Sequence, residues 1–226
     1  MANFDLARHN MVESQIRTNK VTDDRLISAL RLVPRHIFVP PARQALAYCD
    51  EPVTLGGGRS LLPPMAAARL YQAAAVAESD LVLVVGAATG YGAAVLGQLA
   101  SAVVALEEDE GLLETARNVL EGGREDLAAL GTGDNIILVE GPLAAGWQDQ
   151  APYDVIAVEG AVEQVPPALL DQLGPDGRLV CVLREPGKPG VATIMRKSGS
   201  GVAETSLFDA MLPLLPGFTR SREFAL

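Results

Sequence analysis

The stretch Leu81-Val-Leu-Val-Val85-Gly86-Ala-Ala-Thr-Gly90-Tyr91 decides the fold of this chain. Its first five residues are continuously apolar, which is typical of a strand buried on both faces of a parallel sheet. Residues 86–90 then predict a tight turn, and a helix is predicted to follow over 91–99. A strand, a glycine-containing turn and a helix in this order predict the first unit of a β-α-β arrangement.

The same alternation continues beyond this unit. Further strands are predicted over 102–106, 136–139, 153–158 and 178–183, with helices over 110–120 and 166–173. Two runs, 193–197 and 202–209, flank Ser198-Gly-Ser-Gly201 and predict a hairpin. Strands that alternate with helices predict an α/β fold with a doubly wound, mostly parallel sheet. We expect the antiparallel C-terminal hairpin to join that sheet.

The first 64 residues follow a different pattern. Apolar residues recur at helical spacing up to Val33, behind a predicted N-cap at Thr22. Another helix is predicted over 65–77. Between them, Gly56-Gly57-Gly58 and Pro63-Pro64 predict an irregular loop.

The length of 226 residues suits one large domain. We expect a single domain over 1–226, in which 1–64 form a helical N-terminal extension and the active-site loop. Residues 65–226 would then form the ligand-binding α/β core. An apolar tail, 211–218, is expected either to cover the edge of the sheet or to contact another chain, so the oligomeric state is left open.

The composition excludes several functional classes. There are 18 basic and 28 acidic residues, a net charge of −10, which disfavours binding to nucleic acids or to anionic membranes. The chain has only two His and two Cys, so no metal centre or disulfide framework is expected, and both Cys are predicted to be buried. No apolar run approaches the roughly 20 residues of a membrane span, and the N-terminal residues lack an apolar signal core. We therefore expect a cytoplasmic protein.

The carboxyl ends of the predicted strands mark the candidate ligand site, as in other doubly wound sheets. Gly86, Ala88 and Gly90 lie in a turn that opens a helix, whose N-terminus offers free N–H donors. The dinucleotide fingerprint does not fit, because Ala88 breaks its glycine pattern, so a smaller adenosyl ligand is favoured. Glu107 ends the next strand, where an acid can accept both hydroxyls of a ribose. The alternative is a solvated acidic turn over 107–110, in which Asp109 caps the next helix.

Several ordered segments resemble the protein-L-isoaspartate O-methyltransferase family. They are Val33-Pro-Arg-His-Ile-Phe-Val-Pro40, Leu55-Gly-Gly-Gly58, the segment from Val82 to Tyr91, Ala93-Ala-Val-Leu96, Gly146-Trp147, Ala151-Pro-Tyr-Asp154 and Gly177-Arg-Leu-Val180. The resemblance implies a Rossmann-like fold that binds S-adenosyl-L-methionine. It also implies transfer of the methyl group to isoaspartyl carboxylates of damaged proteins, so that the partner is a protein or peptide substrate.

The resemblance assigns roles to individual residues. Seven residues would contact the cofactor: Gly86, Ala88, Gly90, Glu107, Gly141, Pro142 and Leu143. Ser60 and Arg59 would orient the acceptor carboxylate, Arg59 through charge-assisted hydrogen bonds. A carboxylate acceptor is already ionised at neutral pH, so the reaction needs no general base and the scarcity of His is no obstacle.

The departures from the family pattern lie near the expected chemistry. The family's active-site Ser falls on Leu62, its Gln on Arg59, its Thr on Ser60, one acid on Val84, another on Pro142, and a Thr on Glu159. The missing hydroxyl at position 62 leaves two alternatives open: a methyltransferase with a different acceptor, or a non-catalytic relative. The partner of Arg59 is also open, since Glu159, Glu51 and solvent all qualify.

Overall fold

The β-structure of the described residues consists of a small hairpin and a larger sheet. The structure is a computed structural model that describes residues 3–122, 133–199 and 201–219. The hairpin pairs β1 (Val53–Gly56) with β2 (Arg59–Leu61). The larger sheet contains β3 (Leu81–Val85), β4 (Ala102–Glu107), β5 (Ile136–Glu140), β6 (Tyr153–Val162), β7 (Leu173–Leu183), β8 (Val191–Ser198) and β9 (Gly201–Asp209). Among the described residues its spatial order is β5-β4-β3-β6-β7-β8-β9.

The strand directions confirm the predicted fold class. β3 is central and pairs in parallel with β4 and with β6, while β5 and β7 extend the parallel part on either side. β8 and β9 continue the sheet in antiparallel fashion, as the hairpin signal predicted. Because the parallel strands share one direction, their carboxyl ends lie along the same edge of the sheet.

Two apolar cores lie on the two faces of this sheet. Val82 and Val84 belong to one core, while Leu83 and Val85 belong to the other. Since neighbouring side chains of a strand point to opposite faces, this division explains why β3 is apolar at every position. The core that contains Val82 also includes residues of the N-terminal extension such as Ile16, so the extension packs on that face.

The helices largely follow the predicted ones. They are α1 (Phe4–Asn10), α2 (Asp24–Leu32), α3 (Pro64–Ala74), α4 (Tyr91–Gly97), α5 (Glu110–Leu120) and α6 (Pro167–Asp171). The predicted N-cap at Thr22 is wrong by one residue, because the Asp23 side chain accepts from the backbone N–H groups of Arg25 and Leu26. α3 ends earlier than predicted because Ala75 adopts a left-handed conformation with φ of 49°.

The C-terminal tail covers the carboxyl end of β6. The backbone N–H of Leu215 donates to the carbonyl of Ala161 at 2.8 Å, and Ala161 donates to Pro213 at 2.9 Å. Leu215 and Phe218 are buried in one of the cores. This added pairing explains why β6 extends beyond its predicted end at residue 158. The tail therefore belongs to the surroundings of the candidate site.

The two cysteines differ in their exposure. Cys181 is buried as predicted, but the prediction for Cys49 is wrong, since that residue is exposed. Cys49 lies in a turn that follows the short 3-10 helix Pro41–Leu46.

Within the described part of the chain, every helix is too short or too polar to cross a lipid bilayer.

Candidate functional site

The turn between β3 and α4 forms the floor of the candidate site. The backbone N–H groups of Gly86 and Ala87 both donate to the carbonyl of Leu106, at 2.9 and 3.0 Å, which fixes the turn against the end of β4. Gly86 and Gly90 have φ of 80° and 93°, values that glycine adopts without strain. Ala88 has φ of 49°, a conformation that costs a residue with a Cβ about 1–2 kcal/mol.

Glu107 lies at the centre of this floor and is fully buried. Its Oε2 accepts from the backbone N–H of Ala88 at 2.7 Å, and its Oε1 accepts from those of Glu108 and Asp109 at 3.0 and 3.1 Å. Glu107 is therefore not part of a solvated acidic turn. Asp109 does cap α5, because its Oδ1 accepts from the backbone N–H of Leu112 at 3.0 Å.

The guanidinium group of Arg59 lies directly against the carboxylate of Glu107. Its Nη1 lies 2.6 Å from Glu107 Oε1, and its Nη2 donates to the carbonyl of Gly86 at 2.8 Å. The residue is only 3% exposed. The sequence had left three surroundings open for Arg59: Glu159, Glu51 and solvent. In the structure Arg59 pairs with neither glutamate and is buried away from solvent. The structure thus joins a predicted catalytic residue to two predicted cofactor residues.

Ser60 and Leu62 follow Arg59 in the chain and differ in their surroundings. Ser60 is half-buried in β2, whereas the side chain of Leu62 is 4% exposed and belongs to the core. Both residues line a small cavity of about 10 Å³ together with Glu159 and Leu215. A cavity of this size holds about one water molecule. At this cavity Ser60 supplies a hydroxyl, whereas Leu62 supplies only an apolar side chain.

Glu159 lies on the other side of this cavity, in the second half of β6. Its carboxylate accepts a hydrogen bond from the hydroxyl of Tyr71 in α3. Burial raises the pKa of Glu159 to about 7, although the hydrogen bond from Tyr71 and the charges of Arg35 and Arg59 oppose the rise. In the folded protein Glu159 exchanges a proton near neutral pH.

Arg35 binds backbone carbonyl groups before and within the active-site loop. The sequence did not indicate a role for this residue. Its side chain is fully buried, its Nε donates to the carbonyl of Ala47 at 2.5 Å, and its Nη2 donates to the carbonyl of Leu62. The guanidinium lies 4.7 Å from the ring centre of Tyr91 at the start of α4. The one sequence feature that could have indicated this role is the position of Arg35 within the segment 33–40, which resembles the family.

Gly141, Pro142 and Leu143 lie beside Glu107 at the same edge of the sheet. The backbone N–H of Gly141 donates to the carbonyl of Glu107 at 3.1 Å. Leu143 is fully buried, whereas Pro142 is exposed. A Cβ at Gly141 would lie 3.3 Å from the ring of Trp147. The carboxyl ends of β4 and β5 therefore bring these predicted cofactor residues to one place.

This arrangement agrees with the comparisons with known proteins. A family model for Protein-L-isoaspartate(D-aspartate) O-methyltransferase matches residues 7–212. The chain belongs to this family. It is 36% identical over 216 residues to the protein-L-isoaspartate O-methyltransferase of Koribacter versatilis (strain Ellin345), covering 95% of this chain and 93% of the relative. It is 39% identical over 195 residues to that of Methylorubrum extorquens (strain PA1), covering 86% and 80%.

Solved structures of the protein-L-isoaspartate O-methyltransferase family share the fold. One enzyme of that name superposes with a TM-score of 0.77 at 22% identity, covering 93% of this chain and 66% of the other. A Plasmodium falciparum beta-aspartate methyltransferase (PCMT), in complex with S-adenosyl-L-homocysteine, superposes with a TM-score of 0.75 at 18% identity, covering 95% and 99%. At these identities the two structures support the fold alone.

Proposed function

We propose that this protein is a carboxyl methyltransferase that transfers a methyl group from S-adenosyl-L-methionine to isoaspartyl residues of damaged proteins. The observation that carries the proposal is the family match over residues 7–212. The match includes both the turn at 86–90 and the hairpin that carries Arg59 and Ser60. The geometry adds that these two parts contact each other at Glu107.

The proposed cofactor site uses the carboxyl ends of β3, β4 and β5. Glu107 is held by three backbone N–H groups with its carboxylate at the sheet edge, which suits the acceptance of ribose hydroxyls. Gly86 has no side chain and a positive φ, so that a ligand can approach the backbone closely. Gly141 and Leu143 would lie beside the adenine. When bound, S-adenosyl-L-methionine supplies a methyl group on a positively charged sulfur.

The proposed acceptor site lies on the Ser60 side of Arg59. Ser60 can donate a hydrogen bond to a carboxylate, and Arg59 can contribute charge-assisted hydrogen bonds once it is free of Glu107. Glu159 borders the same cavity, and its pKa of about 7 leaves a large part of this group neutral at neutral pH. A neutral Glu159 does not repel an anionic acceptor. The chain's own contribution is then mainly the alignment of two reactants.

The test compares two peptides that differ only in one linkage. Purified protein is incubated with labelled S-adenosyl-L-methionine and either an isoaspartyl peptide or its aspartyl counterpart, and labelled methyl ester is counted. We expect ester on the isoaspartyl peptide alone. Cofactor binding by calorimetry without ester on that peptide would contradict the proposed acceptor. Ester on both peptides would contradict the proposed selectivity.

We also propose that the protein works in the cytoplasm. Cys49 and Cys181 are both free thiols, which is typical of proteins in a reducing compartment. Fractionation of the source cells, followed by detection with a specific antibody, tests the location. Recovery in the soluble cytoplasmic fraction is expected, and recovery in a membrane or secreted fraction would contradict it.

A further inference from the structure

We propose that Arg59 occupies the ribose-binding position of this protein and that the cofactor binds only when Arg59 leaves Glu107. The inference rests on the proposed function, because it takes Glu107 as the ribose acceptor. It makes Arg59 the residue that sets cofactor affinity. In the family pattern a Gln stands at this position.

The first support is the number of donors that already surround Glu107. Its Oε1 accepts from Arg59, Glu108 and Asp109, and its Oε2 accepts from Ala88. A carboxylate offers about four acceptor positions. The four donors fill these positions, so a ribose hydroxyl can bind Glu107 only after one of the donors leaves. The three backbone donors belong to the turns that shape the sheet edge, so the Arg59 side chain is the donor that can be exchanged.

The second support is how closely the guanidinium lies on the cofactor turn. A Cβ at Gly86 would lie 2.7 Å from Arg59 Nη2, and Nη2 also donates to the carbonyl of Gly86. The arginine thus covers the bare backbone that a ligand would approach. One side chain occupies both recognition elements of the proposed cofactor site, the carboxylate and the glycine turn.

The third support is the mobility that the hairpin geometry permits. The tip between β1 and β2 consists of Gly56, Gly57 and Gly58, all with positive φ. A Cβ at Gly56 or Gly58 would meet no atom within 4 Å, so two of the three tip residues are unpacked. The tip contacts the sheet edge at Gly57, whose Cβ would lie 2.6 Å from Asp109 Oδ2. A shift of this tip would give the Arg59 side chain room to leave Glu107 while Val53, Leu55 and Leu61 of the hairpin stay in the core.

The chemistry of the acceptor gives Arg59 a second partner. An isoaspartyl carboxylate bound beside Ser60 would compete with Glu107 for the guanidinium. Exchange of Arg59 from Glu107 to the acceptor would then free the ribose site. Because binding couplings are reciprocal, an isoaspartyl peptide should tighten cofactor binding in the natural protein, and the cofactor should tighten peptide binding.

The experiment measures S-adenosyl-L-homocysteine binding by calorimetry for the natural protein, Arg59→Gln and Arg178→Gln. Arg178 is a matched control, because it also forms a largely buried pair, with Asp80 at 2.6 Å, but sits at the other end of β3. We expect Arg59→Gln to bind S-adenosyl-L-homocysteine at least about tenfold more tightly, because no arginine side chain has to leave Glu107 before the ligand binds. Arg178→Gln should bind like the natural protein. Equal or weaker binding by Arg59→Gln overturns the proposal.

Two additional measurements separate this inference from the proposed function. Circular dichroism checks folding, and if Arg59→Gln does not fold, Arg59→Lys replaces it with an expected gain of about threefold, since Lys cannot form the two-pronged contact. Methyl transfer to the isoaspartyl peptide is measured for each protein. Transfer by the natural protein with unchanged affinity in Arg59→Gln defeats the inference alone. Tighter binding in Arg59→Gln, together with no transfer by the natural protein, defeats the proposed function alone.

Discussion

Tyr71 and Glu159, separated by 88 positions in the sequence, share a buried hydrogen bond beside the candidate acceptor cavity. Gly92, in the first turn of α4, lies directly against this pair, since a Cβ there would be 1.7 Å from Glu159 Oε1. The pair therefore joins α3, β6 and α4 at one point. Its buried carboxyl makes the stability of the protein depend on pH.

We expect Glu159→Gln to stabilise the protein at alkaline pH and to have little effect at acid pH. The pKa of Glu159 is raised from 4.5 to about 7, so the folded state favours the protonated form. The resulting stability is complete below about pH 4.5 and is lost as the pH rises through 7. The shift corresponds to about 3 kcal/mol. Urea denaturation at several pH values from 5 to 8 measures the difference from the natural protein.

The matched control for this pH effect is Glu108→Gln. Glu108 is exposed and follows Glu107 in the chain, so its replacement removes one carboxyl group without altering the buried pair. If Glu159→Gln and the natural protein gave parallel curves over this range, Glu159 would not be the group that titrates.

We expect Gly92→Ala to destabilise the protein by about 1–3 kcal/mol, although alanine favours helices. The added methyl would overlap the carboxylate of Glu159 and lie 2.5 Å from the Tyr71 hydroxyl. Thermal and urea denaturation measure the loss. Gly97→Ala in the same helix is the control, because the atom nearest to its Cβ would be Asn135 Oδ1 at 3.1 Å, compared with 1.7 Å at Gly92. A loss as large in Gly97→Ala would point to the helix rather than to the pair.

We expect Leu62→Ser to raise the rate of methyl transfer to an isoaspartyl peptide while it lowers stability. The serine restores the hydroxyl that the family pattern has at this position, beside the cavity shared with Ser60. Removal of a buried leucine side chain costs about 2–5 kcal/mol. Steady-state kinetics with the isoaspartyl peptide measures the gain. Leu62→Ala leaves a similar cavity without the hydroxyl, and an equal gain in that variant would exclude the hydroxyl as the cause.

We expect the effects of Arg59→Gln and Glu107→Gln on the free energy of unfolding to be strongly coupled. Each single change leaves one buried charge without its partner, whereas the double change removes both charges. The double variant should therefore be more stable than the sum of the single effects predicts, by at least about 1.5 kcal/mol. Urea denaturation of the four proteins measures the coupling. Additivity within about 0.5 kcal/mol would mean that the pair contributes no net interaction.

Much of the fold was predictable because its signals are local. The continuous apolar run 81–85 predicted a doubly buried strand, and both cores indeed use its side chains. The cap at Asp109 was foreseen from its position before an amphipathic helix. The hairpin of β8 and β9 followed from a short glycine-containing turn. The N-cap predicted at Thr22 was wrong because the neighbouring Asp23 caps the helix. The burial predicted for Cys49 was wrong because this residue lies in an exposed turn.

The place of the candidate site in the fold was predictable from the sequence, but the pairings of its side chains were not. Gly86, Glu107 and Gly141 meet at one sheet edge because parallel strands end together, which the order of strands and helices implies. The roles of Arg59 and Ser60 toward an acceptor stay predictions, as does the division into one domain. Arg35 was missed because its importance depends on carbonyl groups of Ala47 and Leu62, which no residue pattern specifies.

The sequence by itself determined the order of strands and helices, the buried character of β3 and the sheet edge where the site lies. These features depend on apolar periodicity and on turn residues, which act over a few positions. Only the tertiary structure decided that Arg59 pairs with Glu107 across 48 positions and that Glu159 pairs with Tyr71. Several oppositely charged or hydrogen-bonding partners are chemically equivalent in a sequence. The choice among them follows from which side chains the packed elements bring within hydrogen-bonding distance.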